Sequence, residues 1–313
     1  MGREIIVGTR ASALALWQTE WAVEKLKKLN PDYTFKVIEI KTKGDKILDV
    51  ALSKIGDKGL FTKELEVAML DHEIDFAVHS MKDLPTKLPD GLMIGAICER
   101  VEPGDVLVSR EGLTFDQLPQ GARIGTSSLR RRAQLLSHRP DLQIEDIRGN
   151  VKTRLEKIVS QNLDATVLAC AGMERLGYGD KITQKLPYEV SLPAVGQGSI
   201  GVEMRENDEE ILKIVKTIED QEATWAILAE RGLLRTLEGG CQIPIGALGT
   251  VDGDSLHLKG LVASLDGKTV LRDEISGKVQ DAEKLGIELG RKLSAQGADE
   301  ILCEVRRENE YEG

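Results

Sequence analysis

Residues 4–12 read Glu4-Ile5-Ile6-Val7-Gly8-Thr9-Arg10-Ala11-Ser12, and residues 124–128 read Ile124-Gly125-Thr126-Ser127-Ser128. Each is a β-rich run that reaches a glycine and then hydroxyl-bearing residues ahead of a helical pattern. After the first, Leu14, Trp17, Trp21, Leu26 and Leu29 recur at helical spacing over Ala13–Leu29, and Asn30-Pro31 is the stop signal. Tyr33–Ile40 then alternates as a strand. Strand, helix, strand is a βαβ unit and implies a parallel sheet. The second run opens a similar block: strand Ala122–Gly125, helix Leu129–Ser137, strand Leu142–Ile147, helix Val151–Gln161 and strand Ala165–Ala169. A further pair, Ile74-Asp75-Phe76-Ala77-Val78 and Leu163-Asp164-Ala165-Thr166-Val167, repeats in the same order. Paired echoes in one order predict two related α/β lobes with a ligand cleft between them.

The remaining pattern fills in this frame. Leu60–Asp71 reads as a helix, Ile74–His79 as a buried strand and Leu92–Cys98 as another, before Glu102-Pro103-Gly104 punctuates the chain. Residues 222–238 are helical. The Asp-Gly turns at 252–253 and 266–267 between alternating runs, with a helix over Ala282–Ala295, then predict a small antiparallel α+β domain. The tail Arg306–Gly313 is expected to fray. Residues 41–60 carry five lysines, Lys54 and Lys58 among them, and glycines at 44, 56 and 59, so they read as a mobile lid.

The 313 residues suit two or three domains at roughly 150 residues each. A hydrophobic fraction of 41% and a charged fraction of 30% exclude a disordered chain. The formal charge of −10 argues against a general nucleic-acid binder, and the 4% aromatic content against a stacking site. No apolar run approaches the ~18 residues of a membrane span, and the N-terminal pattern is not that of a signal peptide. A cytoplasmic protein with reduced thiols is expected. Cys98, Cys170, Cys241 and Cys303 form no CxxC, and His72, His79, His138 and His257 show no ligand spacing, so no metal is expected.

Four features carry chemistry. Gly196-Gln197-Gly198-Ser199-Ile200-Gly201 fits GxGxxG, but Leu192-Pro193 precedes it and the strand-like Val202-Glu203-Met204 follows, against a dinucleotide loop. From Arg123 to Arg154 there are eight Lys/Arg against three acids, a local excess of five. A solvated helix face is one reading. Anion binding is the other, because the arginines follow strand ends at Gly125-Thr126-Ser127-Ser128 and Arg148-Gly149-Asn150, where open α/β sheets bind ligands. Cys98 and Cys170 read as buried strand thiols, whereas Cys241 sits on a Gly239-Gly240 turn and reads equally as a modified or an inert thiol. Asp83, in His79-Ser80-Met81-Lys82-Asp83-Leu84-Pro85, is either a turn aspartate or a carboxylate projected from a strand end for catalysis.

Together these stretches resemble the porphobilinogen deaminase (hydroxymethylbilane synthase) family over essentially the whole chain. The resemblance rests on Gly8-Thr9-Arg10-Ala11-Ser12, Phe76–Pro85, Gly125–Arg131, Arg148-Gly149-Asn150-Val151 with Arg154, Leu192–Gly198 and Gly239-Gly240-Cys241. It implies a transferase of tetrapyrrole and heme biosynthesis that joins four porphobilinogen molecules head to tail, releases ammonia and hydrolyses off hydroxymethylbilane. It implies a dipyrromethane cofactor held on Cys241 through a thioether, with Lys82, Thr126, Ser127, Ser128, Arg130, Arg131, Arg148 and Asn150 around it. Arg10, Ser12, Arg154, Arg175 and Gln197 fall to substrate binding, since each pyrrole brings an acetate and a propionate. Asp83 falls to catalysis, stabilising the azafulvenium left by ammonia loss. The implied fold is two lobes like those of periplasmic binding proteins plus a third domain: 1–98 completed by 199–217, 104–190, and 222–313 bearing the cysteine. A monomer is implied, with no nucleic-acid or membrane partner. Two rivals are a non-catalytic two-lobed binding protein, which has no need of a Gly-Gly-Cys domain, and an RNA binder using Arg130-Arg131-Arg132, which predicts salt-sensitive RNA retention.

Overall fold

The computed structural model describes residues 3–46, 61–237 and 243–311. In chain order the strands are β1 (Glu4–Arg10), β2 (Thr34–Ile40), β3 (Phe76–Ser80), β4 (Leu92–Ile97), β5 (Asp105–Ser109), β6 (Arg123–Gly125), β7 (Gln143–Glu145), β8 (Ala165–Ala169), β9 (Gln184–Lys185), β10 (Ile200–Arg205), β11 (Ile245–Asp252), β12 (Ser255–Ala263) and β13 (Val270–Lys278). The helices are α1 (Ala13–Leu29), α2 (Lys43–Lys46), α3 (Lys63–Leu70), α4 (Leu129–His138), α5 (Val151–Ser160), α6 (Cys170–Arg175), α7 (Glu209–Val215), α8 (Gln221–Thr236), α9 (Ala282–Ala295) and α10 (Ala298–Tyr311). Among the described residues, one compact unit runs to 101 and resumes over 198–224, and the other takes 102–197 and 225 onward.

The first unit holds a five-stranded sheet in the order β2-β1-β3-β10-β4. Strand β1 is parallel to β2 and β3, while β10 runs antiparallel to β3 and β4. The second unit holds a sheet in the order β7-β6-β8-β5-β9 with the same directions. The two orders correspond strand for strand. Strand β5, which precedes its sheet's parallel strands, occupies the place that β10 takes by returning after them.

The sequence echoes have a common physical cause. Asp75, just ahead of β3, accepts the amide of Ile6 at 2.7 Å, and its own amide donates to the Ile6 carbonyl at 2.7 Å. Asp164, just ahead of β8, accepts the amide of Arg123 at 2.7 Å and donates to the Arg123 carbonyl at 2.9 Å. Each aspartate thus fixes the register of its two parallel strands, pairing Val7 with Phe76 and Ile124 with Ala165. The glycines answer a second constraint. A Cβ on Gly8 would collide with the Ile74 side chain, and one on Gly125 would lie 2.7 Å from Leu163 Cδ1 and 2.9 Å from Ile147 Cδ1. Ile5, Val7, Gly8 and Thr9 are buried in β1, and Ile124 and Gly125 in β6.

The second unit also contains the three-stranded antiparallel sheet β11-β12-β13. Its buried face packs on α8, α9 and α10 through Leu233, Leu256, Leu258, Leu289, Leu293 and Leu302. The α+β pattern expected here is present, joined to the neighbouring sheet lobe where Ala133 and Leu192 pack with Leu248 and Leu261.

Three expectations need correction. Within the expected loop, Lys43–Lys46 form a helical turn. The tail does not fray at Arg306: α10 continues to Tyr311, because Ile301, Leu302 and Val305 are buried and carry the helix against the core. Cys170 is buried as expected, but it opens α6 rather than lying in a strand.

Candidate active site

The parallel strands of each sheet end where the chemistry-bearing residues begin. In the first unit, β1 ends at Arg10 and the Ser12 side chain accepts the amide of Ala15 at 3.3 Å, capping α1. Strand β3 ends at Ser80, and a single 3₁₀ turn, Met81–Asp83, follows. The Met81 amide donates to the Ser199 carbonyl at 3.0 Å, which ties this turn to the start of β10. One pocket gathers Arg10, Ser12, Gln18, Phe61, His79 and Asp83. The Arg10 guanidinium carbon lies 4.2 Å from the centroid of the Phe61 ring, and Gln18 Nε2 donates to Ser80 Oγ at 2.9 Å. Lys82, half-buried, sits within the same turn.

In the second unit, β6 leads through Thr126-Ser127-Ser128 into α4, whose first turn carries Arg130 and Arg131. Ser128 Oγ accepts the Arg131 amide at 3.4 Å as the N-cap, and Ser127 Oγ donates to the Ile147 carbonyl at 2.8 Å. Strand β7 is followed by Arg148 and Gly149, then by Asn150, which caps α5 by accepting the Thr153 amide at 2.9 Å. Arg154 Nε donates back to the Gly149 carbonyl at 2.9 Å. Burial draws the Arg148 guanidinium below its ordinary pKa. Arg175 ends α6.

Arg130 and Arg131 are not a solvated face; they are 4% and 5% exposed. Both are clamped on Asp105, which is fully buried: Arg130 Nη1 donates to Oδ2 at 2.7 Å and Arg131 Nη2 to Oδ1 at 2.7 Å. Ser191 Oγ donates to the same carboxylate at 2.7 Å, and Gln197 Nε2 at 3.0 Å. Burial alone would push Asp105 up, but the charges of Arg130 and Arg131 outweigh it and hold the carboxyl far below its usual range. The anionic partner of the arginine pair is therefore partly internal. Asp105 was missing from the sequence reading because it opens a strand after Pro103-Gly104, well outside the basic run, and an aspartate there reads as a turn residue. Gln197 also donates to the Pro103 carbonyl at 2.6 Å, so it braces this junction.

The GxGxxG stretch runs from a turn directly into β10, with no helix after it. Cys98 and Cys170 are buried; burial, with Glu174 alongside, pushes the Cys170 thiol up to about 12. Cys241, Lys54 and Lys58 lie outside the described residues. No group of three or more potential metal ligands occurs among the described residues, nor is any helix there long and apolar enough to cross a membrane. The residues present do fit a ligand rich in carboxylates. The buried Nε of Arg131 has no hydrogen-bond partner, which is costly unless an acceptor meets it.

By fold and site the chain is a two-lobed α/β protein with an appended α+β domain and an arginine-lined set of strand ends. It belongs to the porphobilinogen deaminase family, whose members polymerise porphobilinogen in tetrapyrrole synthesis. The family model described as porphobilinogen deaminase, dipyromethane cofactor binding domain, matches residues 5–213, and the one described as its C-terminal domain matches 224–295. The chain is 60% identical over 306 residues to the porphobilinogen deaminase of Desulforamulus reducens, covering 98% of this chain and 99% of that one. It is 60% identical over 308 residues to that of Carboxydothermus hydrogenoformans, with 98% and 99% covered. Among solved structures, the substrate binding domain of a putative molybdenum ABC transporter from Clostridium difficile matches at a TM-score of 0.42 and 12% identity, over 73% of this chain and 97% of that one.

Proposed function

We propose that this chain is a cytoplasmic, monomeric porphobilinogen deaminase in which Cys241 carries the dipyrromethane through a thioether and Asp83 is the catalytic carboxylate. The bound dipyrromethane supplies the pyrrole end from which the chain grows. Arg131, Arg130 and Arg148, with Lys82, Thr126, Ser127, Ser128 and Asn150, hold its carboxylates. Arg10 and Ser12, with Arg154, Arg175 and Gln197, receive those of porphobilinogen. Paired guanidinium donors suit such groups, since a buried carboxylate is tolerated only when matched by charge and hydrogen bonds. Lys54 and Lys58 belong to a lid over the product. The domains of this reading are 1–98 with 199–217, 104–190 and 222–313.

The observation that carries the catalytic assignment is the pocket that holds Asp83 together with Arg10 and Ser12 at the ends of β1 and β3. The chemistry follows from that placement. Ammonia leaves porphobilinogen with the bonding pair and leaves a cation spread over the pyrrole. A fixed carboxylate beside the ring nitrogen stabilises that charge as it develops. The same carboxylate accepts a proton when the new carbon–carbon bond restores the aromatic ring. Asp83→Asn keeps the shape and removes the charge. Single-turnover analysis of the folded, cofactor-loaded variant is expected to show the first coupling slowed on the order of 100–1,000-fold, with substrate binding little changed. A first coupling at the unsubstituted rate removes Asp83 from the centre of the mechanism.

A further inference from the structure

Around Asp105 the second unit brings together stretches of chain that are far apart in sequence. Asp105 opens β5 and is fully buried, with four protein donors on its carboxylate, so it acts on a ligand only through them. Its Oδ2 takes Arg130 and Ser191, and its Oδ1 takes Arg131 and Gln197. Each oxygen thus receives one guanidinium of α4 and one donor from the segment 191–197. Arg130 grips that segment directly, donating through Nη1 to the Leu192 carbonyl at 2.7 Å. Gln134, one turn further along α4, donates to the same carbonyl at 3.0 Å and accepts the Leu192 amide at 2.7 Å. The segment is tied to the α+β part as well. The Ala247 amide of β11 donates to the Pro193 carbonyl at 3.0 Å. The Gly196 amide donates to Glu230 Oε2 of α8 at 2.7 Å, and Glu230 Oε1 accepts the Gly249 amide at 2.7 Å. Arg131 is pinned a second time, by Nη1 on the Val167 carbonyl of β8 at 2.9 Å. Its third nitrogen, Nε, is buried and has no hydrogen-bond partner among the described residues.

We propose that Asp105 is a positioning residue for capture of the dipyrromethane: it sets the Arg131 guanidinium in place before the cofactor arrives, and it locks that placement to the segment 191–197, which also anchors the α+β part. This rests on the reading that Arg131 holds carboxylates of the dipyrromethane. Two neighbouring buried guanidiniums repel each other, and an unfixed arginine has many rotamers to lose when it takes up a ligand. Burial draws the Arg130 guanidinium below its ordinary pKa; the Asp105 charge opposes that shift and the Arg131 charge adds to it. Asp105 offsets the repulsion and orders both side chains at once. One carboxylate against two guanidiniums still leaves the cluster positive. A ligand carboxylate therefore meets a guanidinium that is already oriented, one acceptor short of a full set and attractive by charge. Because Ser191 and Gln197 sit on the two oxygens of the same carboxylate, a shift of their segment turns the carboxylate, and the guanidiniums turn with it.

The test uses the full chain made in cells that supply no porphobilinogen, to keep it free of adduct. Porphobilinogen is then added, and the gain of the dipyrrole mass is followed by intact-mass analysis. Asp105→Asn keeps the shape and removes the charge, and is expected to slow that gain on the order of tenfold, the size of one lost charged hydrogen bond. Ser191→Ala removes one donor to Asp105 and keeps every charge, and is expected to slow the gain about threefold. Nitrogen NMR of the adduct-free chain reads the positioning itself. The Arg131 Nε–H signal, identified by its loss in Arg131→Leu, is expected to be sharp and slow to exchange, and to be broadened or lost in both variants. A purely structural role lowers stability and leaves that signal unaltered in the folded protein. A gain of mass at the unsubstituted rate, or an unaltered Arg131 signal, in folded Asp105→Asn overturns the proposal. If that variant does not fold, either result in Ser191→Ala overturns it. Arg131→Leu that gains the mass at the unsubstituted rate instead overturns the reading that Arg131 holds the dipyrromethane, and the Arg131 signal still reports whether Asp105 fixes that side chain.

Discussion

Asp105 holds together more of the arginine site than any other single side chain, since two guanidiniums, a hydroxyl and an amide all converge on its carboxylate. Replacing it with Asn leaves Arg130 and Arg131 buried without their counter-charge. Breaking such a buried pair costs about 3–5 kcal/mol, and urea unfolding at neutral pH is expected to show a loss of that size. The sign of its pH dependence follows from the depressed pKa of the folded carboxyl. Its stabilisation is present in full above the unfolded carboxylate range near pH ~4 and is lost as pH falls toward the lower folded value. The gap between the unsubstituted protein and Asp105→Asn is therefore expected to narrow steadily below about pH 4. A constant gap from pH 7 to pH 2 contradicts an ionised Asp105. Arg131→Leu tests whether the same cluster also serves a ligand. It removes a buried guanidinium nitrogen, Nε, that has no hydrogen-bond partner among the described residues, and is expected to lower the fraction of protein that carries the dipyrrole adduct, read by intact mass.

Individual elements are built around close approaches that the sequence marks with glycine. Gly125 lies where a Cβ would overlap Leu163 and Ile147, so Gly125→Val is expected to destabilise by about 1–3 kcal/mol through overpacking, measurable as a lower thermal midpoint. Ser128→Ala removes the α4 cap and is expected to cost about 0.5–2 kcal/mol. How much could be read beforehand follows the same physics. Elements with a strong local signal were legible: α1 from its apolar spacing and Asn-Pro stop, β1 and β6 from their β-rich runs, and β12 and β13 from the Asp-Gly turn between them. Strands that enter a sheet from a distant part of the chain were not all legible. Strand β5 follows a Pro-Gly boundary and β9 is two residues long, so neither has a period to detect. The site divides likewise. Asp83 was recognisable as a strand-end residue, Arg10 and Ser12 only through the family resemblance, and the three share one pocket. The role of Asp105 was not, because a buried carboxylate is defined by partners far away in sequence.

At the scale of the whole molecule, a chain of net charge −10 concentrates arginines at the ends of parallel strands in two sheets of one topology. The excess of acid elsewhere leaves these strand ends as the places suited to an anionic ligand. Joining rings that each carry two carboxylates is a task that calls for such places, and the proposed covalent anchor on Cys241 would keep the growing product from leaving between additions. In the proposed function, one polypeptide builds its product on its own cysteine. Intact-mass analysis of the purified enzyme mixed briefly with limiting porphobilinogen tests it most directly. The unsubstituted chain is expected to carry a dipyrrole adduct and then a ladder of species, each heavier by one porphobilinogen less ammonia, whereas Cys241→Ala carries neither adduct nor ladder. An unmodified chain that shows no ladder, or a Cys241→Ala protein that retains both, contradicts the account.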